Sequence, residues 1–353
     1  MKTLQRLKKK LKDIPATVGW YLADLGEFKG KQELFTKQSP QKLKVLREHA
    51  MIESAVSSNR IEGIEVGAKR IGTVIFGKKI LHDRDEEELR GYRKALEFIH
   101  SEGKKQKVSE KTIKILHKFS RGDIWDAGHY KDKDGDIIEK YPDGRERVRF
   151  KTVSAKKTPK AMSELIGLWD DLSREDNIHP LIRMAALNLD FLCVHPFRDG
   201  NGRVSRLLLL QCLYQAGYEV GRYISIERLI EENKDRYYET LEMSSQGWHE
   251  GQHDPWPYIQ FVLFIFKEAY KELADRAGQI KEPKGSKTEL IETVVQSQKQ
   301  AFTLADIEKS CLTASRDMIR KVLRDMKNRK VVECLGKGPG ALWKNKGNTL
   351  KRG

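Results

Sequence analysis

The chain has few cysteines and no long apolar run, and each shortage excludes a class of protein. Its four cysteines, Cys193, Cys212, Cys311 and Cys334, are isolated and form no C-x-x-C pair. We therefore expect reduced thiols rather than a disulfide framework or a zinc module. No apolar stretch approaches the roughly 18 residues of a membrane span. The basic segment 1–15 is not followed by an apolar segment, which argues against a signal peptide and favours a cytoplasmic protein with no membrane partner.

Positive charge is what the chain has in excess. Its 353 residues include 67 lysines and arginines against 51 acidic residues, for a formal net charge of +16. This length predicts two or three domains. A charge this large predicts attraction to nucleic acid or to acidic partners, although excess lysine also serves solubility alone. The location of the charge has to decide between these interpretations.

The stretch 194–206, VHPFRDGNGRVSR, places ionisable side chains on a glycine-rich turn. The apolar residues 180–195 before it, and those that follow Arg203, predict two buried helices joined by this turn. Glycines let the N–H groups of the turn converge, and the second helix adds the positive end of its dipole. Such a turn is an anion-binding nest of a size that suits a diphosphate.

The side chains around this nest suit phosphate chemistry. His195 is of the residue type that accepts a proton near neutral pH. Asp199 offers the carboxylate through which Mg²⁺ commonly binds beside nucleotide phosphates. Arg203 and Arg206 lie three apart on one helix face, where both are expected to reach phosphate oxygens. Each residue alone is more simply part of an ordinary turn or surface, but their combination argues for a site.

The segment 195–206, HPFRDGNGRVSR, resembles the signature H-P-F-x-D/E-G-N-G-R-x-x-R of the Fic family at every defined position. The resemblance implies a helical core with a β-hairpin flap, and transfer of AMP from ATP to a hydroxyl of a target protein or of the chain itself. It makes His195 the base, Asp199 the Mg²⁺ ligand and Arg206 a partner of the terminal phosphate. The other loop residues that it implies in nucleotide binding are Gly200, Asn201, Gly202 and Arg203. Doc-type kinases alter the second half of this loop, which is intact here.

A glutamate at the end of an early helix has no obvious partner nearby in the sequence. Helical spacing over residues 40–60 ends at Glu62, and Gly63 is a natural helix stop. A carboxylate in the last turn has the wrong sign for the helix dipole, although an ordinary helix end remains the simpler interpretation. The segment 58–63, SNRIEG, resembles the S/T-x-x-x-E-G/N pattern of the Fic inhibitory helix. That resemblance implies that Glu62 pairs with Arg206 and inhibits the enzyme from the place of the γ-phosphate.

A change of period after residue 136 predicts a hairpin in an otherwise helical chain. Alternating residues at 137–141 and 147–153 flank a turn at 142–144. The hairpin is either a surface decoration or a functional element. In the Fic family a flap at this place pairs its edge with the target backbone. The flap residues that the resemblance implies near the nucleotide are Phe150, Lys151, Thr152 and Val153. The proline-rich flap of many members is missing, which leaves the target open.

Paired tyrosines lie in the next helical segment, residues 226–245. Core packing is the simpler interpretation of Tyr237 and Tyr238, although aromatic faces also suit a purine. The Fic resemblance implies that they line the adenine pocket together with Ser245, where other members often have asparagine. Residues 255–279 predict a last apolar helix of the core.

The C-terminal part of the chain resembles a winged-helix domain, with three helical patterns followed by a hairpin. Residues 284–353 hold sixteen basic and seven acidic residues, so this part carries +9 of the total charge. Its third helix has a basic stripe at helical spacing, formed by Arg316, Arg320, Arg324 and Lys327. The stripe fits a DNA-binding surface. A solvated face or a protein-docking module fits it as well.

The sequence thus predicts a mainly α protein in four parts. These are an N-terminal helical region with an inhibitory helix (1–80), a Fic core (81–280), a linker (281–287) and a winged helix (288–353). The leading function is Mg²⁺-dependent transfer of AMP from ATP, restrained by Glu62. Removal of AMP from a modified target, and a DNA-binding regulator whose core senses nucleotide, are the open alternatives. The expected partners are a target at the flap, the chain itself, and DNA, and both a monomer and a homodimer fit the sequence.

Overall fold

The fold is mainly helical, as the sequence predicted, with strands in two small sheets. The computed structural model describes residues 1–9, 13–37, 40–77, 81, 83–122, 124–140, 143–175, 177–279, 286–298, 300–311, 314–336, 338 and 340–346. Within these ranges no helix is long and apolar enough to cross a membrane.

In the part of the N-terminal region that the structure describes, four helices precede the predicted core: α1 (Lys2–Lys9), α2 (Ala16–Lys37), α3 (Pro40–Ile61) and α4 (Ala68–Phe76). Helix α1 is held by two backbone N–H groups, of Thr3 and Leu4, which donate to the buried carboxylate of Asp190 over 2.9 and 3.0 Å. Helix α3 ends where Gly63 takes a left-handed φ of 81°, which is the predicted glycine stop. The N-terminal region therefore packs against the core through α1 and runs directly into the segment that carries Glu62.

Among the described residues, eight helices form the region of the glycine-rich turn: α5 (Arg84–Glu102), α6 (Glu110–Arg121), α7 (Thr158–Leu172), α8 (Pro180–Val194), α9 (Asn201–Gln215), α10 (Ile226–Glu232), α11 (Lys234–Ser245) and α12 (Trp256–Gln279). Short 3₁₀ turns lie at Ala155–Lys157 and Val220–Arg222. Helices α8 and α9 are buried along almost their whole length. Their apolar residues leave no polar face for solvent, which fixes them at the centre.

The helical segment predicted over 226–245 is confirmed as two helices, α10 and α11, which are separated at Asn233. That residue has a non-helical φ of −115° and ψ of 31°. Its side-chain Nδ2 donates to the carbonyl of Leu229 over 2.8 Å. Asparagine competes in this way for backbone groups, so α10 ends and α11 starts afresh.

The flap hairpin consists of β1 (Ile137–Lys140) and β2 (Glu146–Phe150), paired antiparallel with Ile138 opposite Val148. The predicted second strand ran to Val153, but β2 ends at Phe150. Beyond Phe150, side-chain hydrogen bonds take the place of the backbone hydrogen bonds between the strands. The Thr152 hydroxyl, for example, donates to the carbonyl of Gly135 over 2.5 Å. The segment 151–154 is therefore a loop held by side-chain hydrogen bonds rather than a strand.

The C-terminal unit consists of α13 (Ser286–Ser297), β3 (Phe302–Thr303), α14 (Leu304–Ser310), α15 (Arg316–Asn328), β4 (Val332–Cys334) and β5 (Leu342–Asn345). Its sheet has the order β3-β5-β4, so the predicted hairpin gains a third strand. The Ser315 hydroxyl caps α15 by accepting from the N–H of Met318. Of the linker predicted at 281–287, residues 281–285 lie outside the described ranges and the last two belong to α13.

The C-terminal unit has an apolar cluster of its own and contacts the rest of the chain through α3 and α12. Val45 packs against that cluster, and Nε2 of His49 donates to the carbonyl of Ser310 over 2.6 Å. In α2, Trp20 is 72% exposed, whereas its neighbours Tyr21 and Leu22 pack on the core.

Candidate active site

Two left-handed residues turn the chain between α8 and α9. His195 follows α8 with φ 51° and ψ 61°, and its N–H donates to the carbonyl of Phe191 over 2.9 Å. Such a φ is uncommon for a residue with a side chain and is typical of functional turns. Gly200 takes the N-cap of α9 with φ 81°. The loop 195–200 is thus compact, and the first turn of α9 points its unpaired N–H groups toward it.

Side chains hold this loop in one shape. Asn201 bridges it, because Oδ1 accepts from the N–H of Phe197 over 2.9 Å and Nδ2 donates to the carbonyl of the same residue over 2.8 Å. The ring of Phe197 stacks on His117 at 3.8 Å. His117 accepts from the N–H of Gly128 at Nδ1 and therefore donates from Nε2 to the carbonyl of Asp199, over 3.0 Å. Asn201, which the resemblance placed at the phosphates, thus fixes the loop backbone from a buried position.

The ring of His195 has one nitrogen free to accept a proton. Its Nδ1 lies 3.3 Å from the carbonyl of Leu192, and a carbonyl can only accept, so the ring proton sits on Nδ1. This leaves Nε2 unprotonated. Burial lowers the pKa of His195 to about 4, and the nearby charge of Lys131 acts in the same direction. The imidazole is therefore neutral at pH 7 and able to accept a proton.

Asp199 is the carboxylate of the loop. Oδ1 accepts from the N–H of Gly200 over 2.6 Å, and Oδ2 accepts from Arg121 over 2.7 Å and from Arg84 over 3.3 Å. Burial acts to raise the pKa of Asp199, but Arg121 and Arg203 hold it below its usual value. In the described ranges no group of three or more His, Cys, Asp or Glu side chains could hold a metal ion alone. One half-exposed carboxylate beside an anion nest does fit Mg²⁺, which takes one or two carboxylates plus substrate phosphates.

Glu88 of α5 is a hub that the sequence interpretation missed. It is 2% exposed and accepts from Arg121 and Arg203 over 2.6 Å each and from Arg84 over 2.9 Å. Arg203 is therefore buried in an ion pair, whereas the sequence placed it at phosphate oxygens together with Arg206. The sequence did contain a signal for this role of Glu88. It places a charged residue next to Leu89 on the buried face of α5, and charged residues are rarely buried without a partner.

Glu62 and Arg206 form the second ion pair of the site. Nη2 of Arg206 donates to Oε1 of Glu62 over 2.7 Å, and the same guanidinium donates to the hydroxyl and the carbonyl of Ser58 over 2.9 Å each. The carboxylate lies on the first turn of α9, where a Cβ added at Gly202 would come within 2.2 Å of Oε1. A negative group thus sits at the positive end of α9. Nη1 of Arg206 is buried and has no hydrogen-bond partner among the described residues.

The flap is fastened to α11 beside this pair. Glu242 accepts from Arg147 over 2.6 Å and from Arg149 over 2.6 and 3.0 Å. The Phe150 ring stacks on His249 at 5.5 Å. His249 also donates to the carbonyl of Lys151 over 2.7 Å. Of the other predicted flap contacts, Thr152 accepts from Lys131 and Val153 packs on the core.

The paired tyrosines of α11 contact each other, with ring centroids 5.2 Å apart, but differ in burial. Tyr237 is buried against Tyr258 and Phe261, in the core packing that was the simpler interpretation. Tyr238 is half-buried, and its hydroxyl donates to the carbonyl of Ile61 over 3.3 Å, next to Glu62. The hydroxyl of Ser245 donates within its own helix, over 3.1 Å. Tyr238 is therefore the member of this set that faces the Glu62 end of α3.

Outside this site, the basic stripe of α15 is exposed along its length. Its members Arg316, Arg320, Arg324 and Lys327 all face solvent. The opposite face of the helix is buried in the C-terminal cluster through Ile319, Leu323 and Met326, among others.

Comparisons with known proteins agree with this geometry. Residues 107–213 match the family model described as Fic/DOC family. A protein of Culex quinquefasciatus named protein adenylyltransferase Fic is 31% identical over 101 residues, which are 29% of this chain and 18% of that protein. The protein of that name from Drosophila grimshawi is 30% identical over 94 residues, 27% of this chain and 17% of its own length. This chain thus spans less than a fifth of the length of these curated relatives.

Solved structures extend the likeness in fold beyond this region. A Fic family protein from Desulfovibrio desulfuricans superposes with a TM-score of 0.60 at 21% identity, covering 95% of this chain and 97% of its own. A Fic domain containing signaling protein from Bacteroides thetaiotaomicron gives a TM-score of 0.61 at 22% identity, covering 74% of this chain and all of its own. At these identities the likeness concerns the fold alone. Residues 107–213 thus match the Fic/DOC family model, and the likeness in fold covers up to 95% of the chain.

Proposed function

We propose that this protein transfers AMP from ATP to a hydroxyl side chain of a target protein or of itself, and that Glu62 restrains the reaction. The observation that carries the proposal is the Glu62–Arg206 pair of 2.7 Å on the first turn of α9. A carboxylate at a helix N-terminus beside an arginine takes the place of an anion. The names of the curated relatives, protein adenylyltransferase, support the reaction.

The reaction follows from the groups around the nest. The unprotonated Nε2 of His195 takes the proton of the target hydroxyl. The hydroxyl oxygen bonds to the α-phosphorus of ATP while the bond from that phosphorus to the β-phosphate oxygen breaks, and pyrophosphate leaves. The loop N–H groups hold the phosphates, since positioning and electrostatic stabilisation are most of what such a transfer needs. Asp199 would hold Mg²⁺, which supplies positive charge against the phosphates when bound.

The restraint acts through Arg206. Its guanidinium is 1% exposed and is occupied by Glu62 and Ser58. The terminal phosphate of ATP has to displace the Glu62 carboxylate to reach the N–H donors of Arg206. While the carboxylate remains there, it repels the negative charge of that phosphate. The orphan donor Nη1 of Arg206 provides an additional group for that phosphate. Transfer therefore requires that Glu62 moves away from the first turn of α9.

The test is intact-mass measurement after incubation with ATP and Mg²⁺. We expect Glu62→Gly to gain AMP units faster than the wild type, and Glu62→Gly/His195→Ala to gain none. Glu65→Gly is the matched control, because Glu65 is exposed on the following loop. If Glu62→Gly gains no AMP, alone or with a lysate of candidate targets, the transfer is contradicted. Removal of AMP, with Glu62 positioning the attacking water, is the alternative if the wild type strips AMP from a modified protein and Glu62→Gly does not.

We also propose that the C-terminal unit binds DNA through α15. Its element order, helix-strand-helix-helix-strand-strand, supports the winged-helix interpretation, and the exposed stripe gives α15 the charge to meet phosphates. Substitution of Arg316 and Arg320 by alanine should weaken DNA binding. The slope of the logarithm of the binding constant against the logarithm of salt concentration should become shallower by about one for each phosphate that the protein no longer neutralises. The charge-matched control is alanine at the exposed residues Lys105 and Lys111. Equal binding by the two double variants would contradict the assignment.

The setting that we propose for this activity is the cytoplasm. All four cysteines are free thiols, and Cys193, Cys212 and Cys311 are buried. Burial raises the pKa of each of these three thiols, which keeps them protonated and unreactive. A reducing compartment that supplies ATP suits both features.

A further inference from the structure

Lys131 lies where the flap meets the loop of His195. It belongs to the segment between α6 and β1 and is 7% exposed. Its Nζ donates to the hydroxyl of Thr152 over 2.7 Å and lies 3.5 Å from the carbonyl of Val194. Its backbone N–H donates to the carbonyl of Pro196 over 2.9 Å. One residue thus contacts the flap segment and the peptide groups on both sides of the histidine.

The partner of Lys131 in the flap is held for this contact. The Thr152 hydroxyl gives its own hydrogen to the carbonyl of Gly135 over 2.5 Å, so its lone pairs face the lysine as acceptors. Farther along the flap segment, the N–H of Ala155 donates to the carboxylate of Asp134 over 2.6 Å. Residues 151–155, which the strand ladder does not hold, are therefore positioned by side chains of the segment that carries Lys131.

The burial of this ammonium is costly and needs a reason. Among the described residues no carboxylate lies within 4.0 Å of Nζ, so no ion pair compensates for the lost hydration. The more distant Asp134 and Asp136 favour the charged form, but burial dominates and lowers the pKa of Lys131 to about 8. A buried charge without an ion pair, next to a reacting group, is typical of a functional site.

We propose that Lys131 is a positioning residue that sets the distance between the flap and His195. Its ammonium joins Thr152 to the end of α8, and its backbone joins the same segment to Pro196. The inference rests on the proposed transfer reaction, in which the flap presents the target hydroxyl to Nε2 of His195. A flap that shifts by about 1 Å would take that hydroxyl out of line, and such a displacement costs about 100-fold in rate.

The test uses the Glu62→Gly background, in which the rate of AMP incorporation is measurable. Lys131→Met keeps the length of the side chain but removes its donors, Lys131→Arg keeps the charge, and Thr152→Val removes the acceptor. Lys133→Met is the matched control, because Lys133 is exposed two residues away. For each variant, kcat and the KM for ATP are measured together with Tm and amide hydrogen exchange of residues 146–154.

We expect Lys131→Met to lower kcat by about 30- to 100-fold, with the KM for ATP changed by less than about twofold. Lys131→Arg should recover most of the rate, and Lys133→Met should leave it unchanged. The double variant Lys131→Met/Thr152→Val should lose less than the sum of the two single losses, because both changes break the Lys131–Thr152 contact. Amide exchange in 146–154 should be faster in Lys131→Met than in Lys133→Met.

The proposal would be overturned by an unchanged kcat in Lys131→Met, by a loss that the arginine fails to recover at unchanged Tm, or by additive effects of the two substitutions. A loss of rate that only follows a lowered Tm in every Lys131 variant would mark a purely structural residue and overturn it as well. Failure of the proposed function is distinguishable, because Glu62→Gly itself would then gain no AMP. The exchange of residues 146–154 would still decide whether Lys131 holds the flap.

Discussion

The contact between Glu62 and Gly202 allows the restraint to be tested through stability rather than activity. An alanine Cβ at position 202 would lie 2.2 Å from Oε1 and 3.0 Å from Cδ of Glu62, but 3.2 Å from Nη1 of Arg206. Gly202→Ala must therefore expel the Glu62 carboxylate while it barely disturbs Arg206. Since Arg206 is 1% exposed, the removal of its charged partner should cost about 1–3 kcal/mol.

The effect of Gly202→Ala on the free energy of unfolding should change sign when Glu62 is absent. In Glu62→Gly no carboxylate meets the new methyl group, and alanine in a helix is favoured over glycine by about 0.5–1 kcal/mol. Urea unfolding of the wild type, both single variants and the double variant gives the coupling directly. We expect Gly202→Ala to destabilise the wild type and to be neutral or stabilising in Glu62→Gly. An equal destabilisation in both backgrounds would refute the position that the structure gives to Glu62.

Three further predictions concern the buried charges and the pH response. Glu88→Ala leaves three arginines without their shared carboxylate and should destabilise the protein by about 3–5 kcal/mol in urea unfolding, with Glu87→Ala, at an exposed position, as control. A loss below about 1 kcal/mol would show that the hub is unimportant. Burial lowers the pKa of His100 to about 3 and that of His195 to about 4. As the pH drops, these two histidines take up a proton in the unfolded chain before they do so in the folded protein. The free energy of unfolding should therefore fall between about pH 6.5 and 4, by about 1.4 kcal/mol per pH unit for each histidine. A free energy of unfolding that does not change over this range would contradict their burial as neutral rings. The transfer rate, if His195 is the base, should be independent of its titration above pH 6 and fall as the pH approaches 4, whereas a falling limb centred near 6.5 would contradict the lowered pKa.

The parts of the fold that the sequence predicted are those with a strong local signal. Helices α8 and α9 follow from unbroken apolar runs on either side of the glycine-rich turn, and the stop of α3 follows from Gly63. The partner of Glu62 was predicted for a different reason. The motif 58–63 resembles a family pattern, whereas nothing in the local spacing names a guanidinium 144 residues away.

The parts that the sequence did not predict depend on contacts between distant residues. Glu88 meets Arg121 and Arg203, which are 33 and 115 residues away in the chain. Arg203 was accordingly placed at the phosphates when it is buried against that carboxylate. The end of β2 at Phe150 was also missed, because the bonds of Thr152 to Gly135 and Lys131 come from another segment. Local patterning carries no information on either arrangement.

The central claim, that this site transfers AMP and that the charge of Glu62 restrains it, is tested most directly by one rate comparison. Initial rates of AMP incorporation are measured by intact mass for the wild type, Glu62→Gln and Glu62→Gln/His195→Ala at the same ATP and Mg²⁺ concentrations. Glutamine keeps the shape of the side chain but removes the charge that opposes a terminal phosphate. The account predicts a faster rate in Glu62→Gln and none in the variant without His195. An unchanged rate in Glu62→Gln, or incorporation that survives the removal of His195, would contradict it.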